Sequence, residues 1–98
     1  MDIKKEFNDK DLLVKLSGRL DAITSSQLKD SLKDDYDRVN HLTLDLNDLE
    51  YISSAGLRVI MSTQKSMGDK DSMNIINVQD LVMEVFEVTG FCDILNIK

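Results

Sequence analysis

The chain has 98 residues, of which 42% are hydrophobic and 31% charged, so one globular domain spanning residues 1–98 is expected. A net charge of −6, with lysines scattered among acidic residues, excludes nucleic-acid binding, and the lack of an apolar run of about 20 residues excludes membrane insertion. With one cysteine, one histidine and no signal-peptide pattern in residues 1–15, the chain is expected to be cytoplasmic and to hold neither a disulfide nor a structural zinc ion.

Two alternating segments at the start of the chain predict a β-hairpin. Apolar residues recur at every second position in the second segment, and at the outer two of three such positions in the first, which is the period of a strand with one buried face. Residues 8–11 are polar and provide the turn between the segments. The first, weaker segment contains Ile3, Lys5 and Phe7, and the second contains Leu12, Val14 and Leu16.

A helix is predicted after this hairpin. Thr24 and Gln27 form a capping box of the T-x-x-Q type, in which each side chain satisfies a backbone amide at the helix start. Ile23 and Leu28 are spaced for a hydrophobic staple across the same cap. The helix is expected to begin at Thr24 and to continue towards Tyr36.

The middle of the chain predicts a third strand and a second helix. Residues 42–46 alternate leucine with polar residues, and a polar turn is predicted over residues 47–50. A short apolar pair, Tyr51 and Ile52, then leads to a helix over residues 54–67. Gly68 follows this helix and is typical of a residue that ends one in the left-handed conformation.

The last third of the chain predicts a fourth strand over residues 73–78 and a third helix over residues 78–89, ended by Gly90. One apolar stripe of this helix is expected to contain Leu81, Val82, Val85 and Phe86. Residues 94–97 are apolar enough for a short last strand. The order predicts an α/β fold, with a mixed sheet of four to five strands packed with three or more helices.

The start of the second helix contains the most unusual residues. Only one of Ser53 and Ser54 is needed as the N-cap, and Gly56 in the first turn costs about 1 kcal/mol relative to alanine. A phosphoryl group on Ser54 would lie at the positive end of the helix, and Arg58 one turn later could pair with it. Gly56 would leave the backbone open to a partner or a phosphate. Alternatively, the serines only cap the helix and Gly56 allows tight packing.

Other site chemistries are excluded by the residues present. A serine nucleophile needs an oriented base, and the only histidine, His41, precedes the third strand. The four glycines are isolated and form no phosphate-binding loop, so no cofactor is expected. Residues 30–32 read Asp-Ser-Leu, as in acyl carrier proteins, but those are helical bundles and the leucine alternation at 42–46 requires a strand. The chain is therefore not expected to be an enzyme.

Four stretches carry a resemblance to a known family. They are Gly-Arg-Leu-Asp at 18–21, the strand at 42–46, Tyr-Ile-Ser-Ser-Ala-Gly-Leu-Arg at 51–58, and Val-Phe with Thr-Gly-Phe at 85–91. Together they resemble the STAS domain family, in particular the bacterial anti-sigma factor antagonists, and the stretch around the serines is the most specific. The resemblance implies a single STAS-like domain. It also implies a partner-binding surface composed of Asp21, Ser53, Ser54, Ala55, Gly56, Leu57 and Arg58.

In that family, the serine matching Ser54 is phosphorylated by a partner that is both anti-sigma factor and serine kinase. The resemblance implies that the unphosphorylated form binds this partner and releases a sigma factor, and that a PP2C-type phosphatase restores this form. Many members have Asp at the position of Ser53, Ser or Thr at that of Ala55, and a small residue at that of Arg58. A constitutive STAS interaction module, for example a subunit of a membrane transport complex, is the alternative function.

Overall fold

Five strands form one sheet in the order β1-β2-β3-β4-β5 in the computed structural model, which describes residues 1–98. The strands are β1 (Asp2–Asn8), β2 (Asp11–Leu20), β3 (His41–Ile52), β4 (Met73–Ile76) and β5 (Asn96–Ile97). The helices are α1 (Ala22–Leu32), α2 (Ser54–Met67) and α3 (Asp80–Val88), with short 3-10 turns at Lys70–Ser72 and Phe91–Asp93. The predicted α/β fold with a mixed sheet and three helices is confirmed.

The hairpin at the start of the chain is the antiparallel part of the sheet. β1 pairs antiparallel with β2, and Asp9 takes a left-handed conformation with φ 57° in the turn between them. The pairs β2–β3, β3–β4 and β4–β5 are parallel. Parallel neighbours need a crossover connection, and α1, α2 and α3 supply the three crossovers. None of these helices is long and apolar enough to cross a bilayer.

The core lies on one face of the sheet, as the alternation in β2 predicts. Leu12, Val14 and Leu16 are buried on this face, whereas Leu13 and Lys15 on the other face remain partly or fully exposed. The leucines of β3, together with Met73 and Ile75 of β4, continue the same layer. The helices contribute Leu28, Leu32, Leu57, Ile60, Val82 and Phe86 to it.

β3 is longer than predicted, because the expected polar turn over residues 47–50 belongs to the strand. Against β2, the register shifts twice: Lys15 pairs with Asp45 but Ser17 with Asp48, and Gly18 pairs with Leu49 but Arg19 with Tyr51. Each shift adds one residue to β3 and is a β-bulge. The spacing of buried residues in β3 therefore changes from every second position to every third position, as in Leu46, Leu49 and Ile52.

The cap of α1 differs from the prediction. Asp21 is the N-cap, and Thr24 is the third helical residue, whose side chain completes a capping box with Asp21. Ile23 is 74% exposed, so the predicted staple with Leu28 is wrong. The helix ends at Leu32, before Tyr36.

The third helix also differs from the prediction, both in where it begins and in which residues it buries. It begins at Asp80, two residues later than predicted, and Leu81 is 69% exposed and does not join the buried stripe. Both predicted glycine stops are confirmed. Gly68 and Gly90 have φ values of 89° and 77°, which residues with a Cβ atom rarely adopt.

A partly buried ion pair joins the edge strand β1 to the segment after α1. The Lys5 Nζ atom lies 2.6 Å from Oδ2 of Asp35, and Lys5 also donates to the Ser31 carbonyl. The Asp35 side chain is only 8% exposed, whereas that of Lys5 is 25% exposed. Without Lys5, Asp35 would keep a buried negative charge with no cation beside it.

We expect Lys5→Met to lower the free energy of unfolding by about 1–3 kcal/mol, because it leaves this carboxylate unpaired. Lys15→Met is the matched control, since Lys15 and Glu6 are both exposed and their charged atoms are 3.9 Å apart. That change should stay within about 0.5 kcal/mol. Urea unfolding measures both free energies. Equal losses of unfolding free energy in the two variants would contradict the stabilising role of the Lys5–Asp35 pair.

Candidate functional site

The ends of β2 and β3 and the start of α2 meet at one edge of the sheet. Parallel strands end at the same edge, and the last residues of β2 and β3, Leu20 and Ile52, are paired there. The Ser53 N–H donates to the Leu20 carbonyl at 2.9 Å. Residues 18–21 and 51–58, which are far apart in the sequence, are therefore neighbours in the fold.

The two serines have different roles at the start of α2. Ser53 is the N-cap: its Oγ accepts from the Gly56 N–H at 3.2 Å, and its carbonyl accepts from the Leu57 N–H at 2.9 Å. Of the two serines, Ser53 is therefore the one that caps the helix. Ser54 is the first helical residue and is exposed. Because Ser53 already caps the helix, the Ser54 hydroxyl is not needed for it.

Gly56 is buried, and its role differs from the open backbone suggested by the sequence. A Cβ atom at this position would lie 2.8 Å from the Leu20 carbonyl oxygen and 2.9 Å from Cγ1 of Ile52. Backbone oxygen cannot move aside as a flexible side chain can, so a side chain would push α2 away from β2. The alternative in which Gly56 permits tight packing is therefore confirmed. The next residue, Leu57, is 7% exposed and packs in the core.

Asp21 lies at the same edge as Ser53, directly after Leu20. Its Oδ1 accepts from the N–H groups of Thr24 at 3.0 Å and Ile23 at 3.1 Å, while the Asp21 N–H donates to the Thr24 hydroxyl at 2.8 Å. The bond from the Thr24 N–H is the main reason that the pKa of Asp21 is lowered, and burial opposes it. The Thr24 hydroxyl, the Ile23 N–H and the charge of Arg19 lower this pKa further.

Two arginines lie near the serines. Arg58 is exposed one turn after Ser54, where the i,i+4 spacing of a helix puts the two side chains on one face. The guanidinium of Arg19 lies 4.1 Å from the ring centroid of Tyr51, its partner across β2 and β3. The sequence did not predict this cation–π contact. Arg19 is paired with Tyr51 only because two bulges shift the register between β2 and β3.

The arrangement does not provide a catalytic base for either serine. His41 is the first residue of β3 and pairs with Asp11, with 3.1 Å between Nδ1 and Oδ1. The serines follow the other end of this twelve-residue strand, so His41 and the serines lie at opposite edges of the sheet. No group of three or more His, Cys, Asp or Glu side chains is placed to hold a metal ion.

The division of roles between the serines predicts unequal effects on stability. Ser53→Ala removes the capping oxygen and should lower the free energy of unfolding by about 0.5–2 kcal/mol. Ser54→Ala, one residue later and exposed, should change it by less than about 0.5 kcal/mol. Urea unfolding monitored by circular dichroism measures both. A larger loss for Ser54→Ala would show that the cap has been assigned to the wrong serine.

The lowered pKa of Asp21 predicts a loss of stability in acid. The folded pKa lies below the ordinary value of 3.8, so this contribution is fully present above pH 3.8 and is lost as pH falls through the folded pKa. Asp21→Asn keeps a capping oxygen but not the charge. The unfolding free energies of wild type and variant should differ most near neutral pH and should converge as the pH falls through the folded pKa of Asp21. A difference that is constant across this range would contradict the assignment.

Comparison with known proteins identifies relatives of the whole chain. A family model described as the STAS domain matches residues 2–98. An anti-sigma-B factor antagonist of Listeria monocytogenes is 30% identical over 105 residues, which cover 100% of this chain and 90% of the relative.

Solved structures share the fold at lower identity. The crystal structure of an anti-sigma factor antagonist from Mycobacterium paratuberculosis matches with a TM-score of 0.88 and 21% identity, covering 98% of this chain and 83% of that one. The unphosphorylated form of the anti-sigma factor antagonist SpoIIAA matches with a TM-score of 0.84 and 15% identity over 99% of this chain and 88% of its own. The phosphorylated form of SpoIIAA, a Bacillus cell fate determinant, matches with a TM-score of 0.77 and 14% identity over 99% and 91%. With this fold and a family match over nearly its whole length, the chain belongs to the STAS domain family.

Proposed function

We propose that the protein is a cytoplasmic, non-enzymatic anti-sigma factor antagonist whose binding is controlled by phosphorylation of Ser54. Its unphosphorylated form binds an anti-sigma factor that is also a serine kinase, and a sigma factor is released. Phosphorylation of Ser54 blocks this binding, and a PP2C-type phosphatase reverses it. One observation carries the proposal: Ser54 is exposed at the start of α2 while Ser53 caps the helix.

The helix start favours a phosphate at Ser54. The N–H groups of Gly56 and Leu57 are already bonded to Ser53, which leaves those of Ser54 and Ala55 without partners inside the helix. A phosphate adds about −1.5 to −2 units of charge at the positive end of the helix dipole. Arg58 can add a charge-assisted hydrogen bond. The domain therefore accepts the modification without refolding, and the change is presented at its surface.

The proposed partner surface consists of the side chains that are accessible near this helix start. Ser54 and Arg58 are exposed, and Asp21, Ser53 and Ala55 are partly exposed. The buried residues Gly56 and Leu57 contribute by holding α2 against β2, so they do not touch the partner directly.

Charge explains how phosphorylation would prevent binding. The nearby end of β3 already carries two exposed acids, Asp48 and Glu50. A neutral Ser54 hydroxyl is desolvated at low cost when a partner covers it, whereas a dianion is costly to bury without a paired cation. A loss of about 3 kcal/mol would weaken binding roughly a hundredfold, which is sufficient for a switch.

The relatives support this proposal in part. The Listeria relative is named as an anti-sigma-B factor antagonist, and SpoIIAA is known in unphosphorylated and phosphorylated forms. This chain has Ser53 where many antagonists have Asp. Here the Ser53 Oγ fills the capping role that an Asp carboxylate would also fill, but without a fixed negative charge beside Ser54.

A constitutive STAS interaction module remains the second candidate. The cap made by Ser53 and the close packing of Gly56 fully account for these two residues without phosphorylation. This alternative does not account for the exposed hydroxyl at Ser54.

Phosphorylation with the host's anti-sigma factor kinase and Mg-ATP tests the proposal. Intact mass and peptide mapping should show one phosphate on wild type, at Ser54, and none on Ser54→Ala. Ser53→Ala, with a weakened cap, is the control and should still be modified. Full phosphorylation of Ser54→Ala at Ser53 would show that the other serine is the site.

Calorimetric titration with the same anti-sigma factor tests the switch. Wild type and Ser54→Ala should bind equally, whereas Ser54→Asp and the phosphoprotein should bind about a hundredfold more weakly. If all four bind with the same affinity, partner switching is excluded and the constitutive module takes its place.

A further inference from the structure

A groove of about 410 Å³ lies between the C-terminal end of β3 and α3. It exists because β4 pairs only with Leu42–Asp45 of β3 and leaves the rest of this strand without a neighbour on that side. The Gln79 side-chain amide, just before α3, donates to the Asn47 carbonyl on this strand. The lining includes Glu50 and Tyr51 from β3 and Leu81, Glu84, Val85 and Val88 from α3.

The α3 helix has apolar side chains beyond the two that the core buries fully. Val82 and Phe86 are buried and form the one apolar face that a surface helix needs for packing. Leu81, Val85 and Val88 follow one another at i, i+4 and i+7 and line the groove. Val85 is partly buried against the core, whereas Leu81 is 69% and Val88 85% exposed. Apolar side chains grouped in this way on a surface mark an interaction site.

The charge around the groove selects the kind of segment that fits it. Glu50 and Glu84 are its only charged lining residues, and no Lys or Arg lines it. Arg19 stacks on the ring of Tyr51 and is held there. Apolar anchors with Lys or Arg beside them would match this lining, whereas a second copy of this chain, with a net charge of −6, would bring acids against acids.

The groove lining includes the residues that lead to the start of α2 in the chain. Tyr51 and Ile52 line the groove, and Ser53 and Ser54 follow them directly in the chain. A partner that covers the start of α2 would therefore lie near this groove. Leu81 to Val88 spans about two helical turns, or roughly 10 Å, which is room for two or three anchoring side chains.

We propose that this groove binds an apolar segment flanked by lysine or arginine residues, supplied by the anti-sigma factor that approaches Ser54. The inference rests on the proposed function, because the groove would be a second surface that binds the same anti-sigma factor. Apolar anchors would pack on the apolar side chains of α3 that line the groove, and the flanking cations would pair with Glu50 and Glu84. Binding would then depend on residues of α3 that phosphorylation does not alter.

Two variants with matched controls test this groove by calorimetric titration with the host's anti-sigma factor. Glu84→Lys should weaken binding at least about tenfold, because it puts a cation opposite the partner's cations. Glu87→Lys makes the same change of charge on the same helix outside the lining and should stay within about twofold. Leu81→Gln should also weaken binding at least about tenfold, whereas Phe7→Gln, exposed on β1, should not.

The outcomes separate this inference from the proposed function. If Ser54→Asp loses affinity while Glu84→Lys and Leu81→Gln bind like their controls, the groove proposal is wrong and the switch stands. Equal weakening by Glu84→Lys and Glu87→Lys would show a general charge effect and would also overturn it. If sedimentation shows a wild-type dimer that Leu81→Gln dissociates, the groove is an interface between copies of this chain. No binding of the anti-sigma factor to wild type would refute both proposals.

Discussion

The Leu20 carbonyl is the contact on which the site depends. Its oxygen accepts the Ser53 N–H at 2.9 Å, and it lies so close to Gly56 that a Cβ atom there would be only 2.8 Å away. One backbone group thus fixes both the N-cap of α2 and the distance between this helix and β2. Asp21, the next residue, begins α1, so the same point of the chain sets the start of both helices. A shift of Leu20 would move both capped helix starts together.

Much of the fold could be predicted because its signals are local. The alternation in Leu12, Val14 and Leu16 depends only on the period of a strand, and the stop of α2 depends on the conformational freedom of Gly68. The end of β3 could not be predicted in this way. Its two bulges put the buried residues Leu46, Leu49 and Ile52 three positions apart. In the sequence, a polar segment with apolar residues at this spacing resembles a turn, because the period of a strand is two.

The helix starts at this edge could be predicted where one residue's chemistry decides its role, and not where contacts with other residues decide it. Ser53 as a cap needs only its hydroxyl and its position. For α1, the sequence pattern of a capping box is satisfied by Thr24 with Gln27, whereas the box in the structure joins Asp21 to Thr24. The Thr24 hydroxyl also donates to the Arg19 carbonyl at 2.6 Å. Gly56 likewise has two readings in the sequence, and only the position of Leu20 decides between them.

The separation of the capping hydroxyl from the exposed one has an evolutionary consequence. Because Ser53 supports the helix and Ser54 does not, position 54 can be exchanged without passing through an unstable intermediate. Most domains gain or lose a regulatory residue only within the stability margin that the rest of the fold provides. Here that margin is not drawn upon, so the side chain at position 54, and with it the control proposed for Ser54, can change while the scaffold stays neutral to the change.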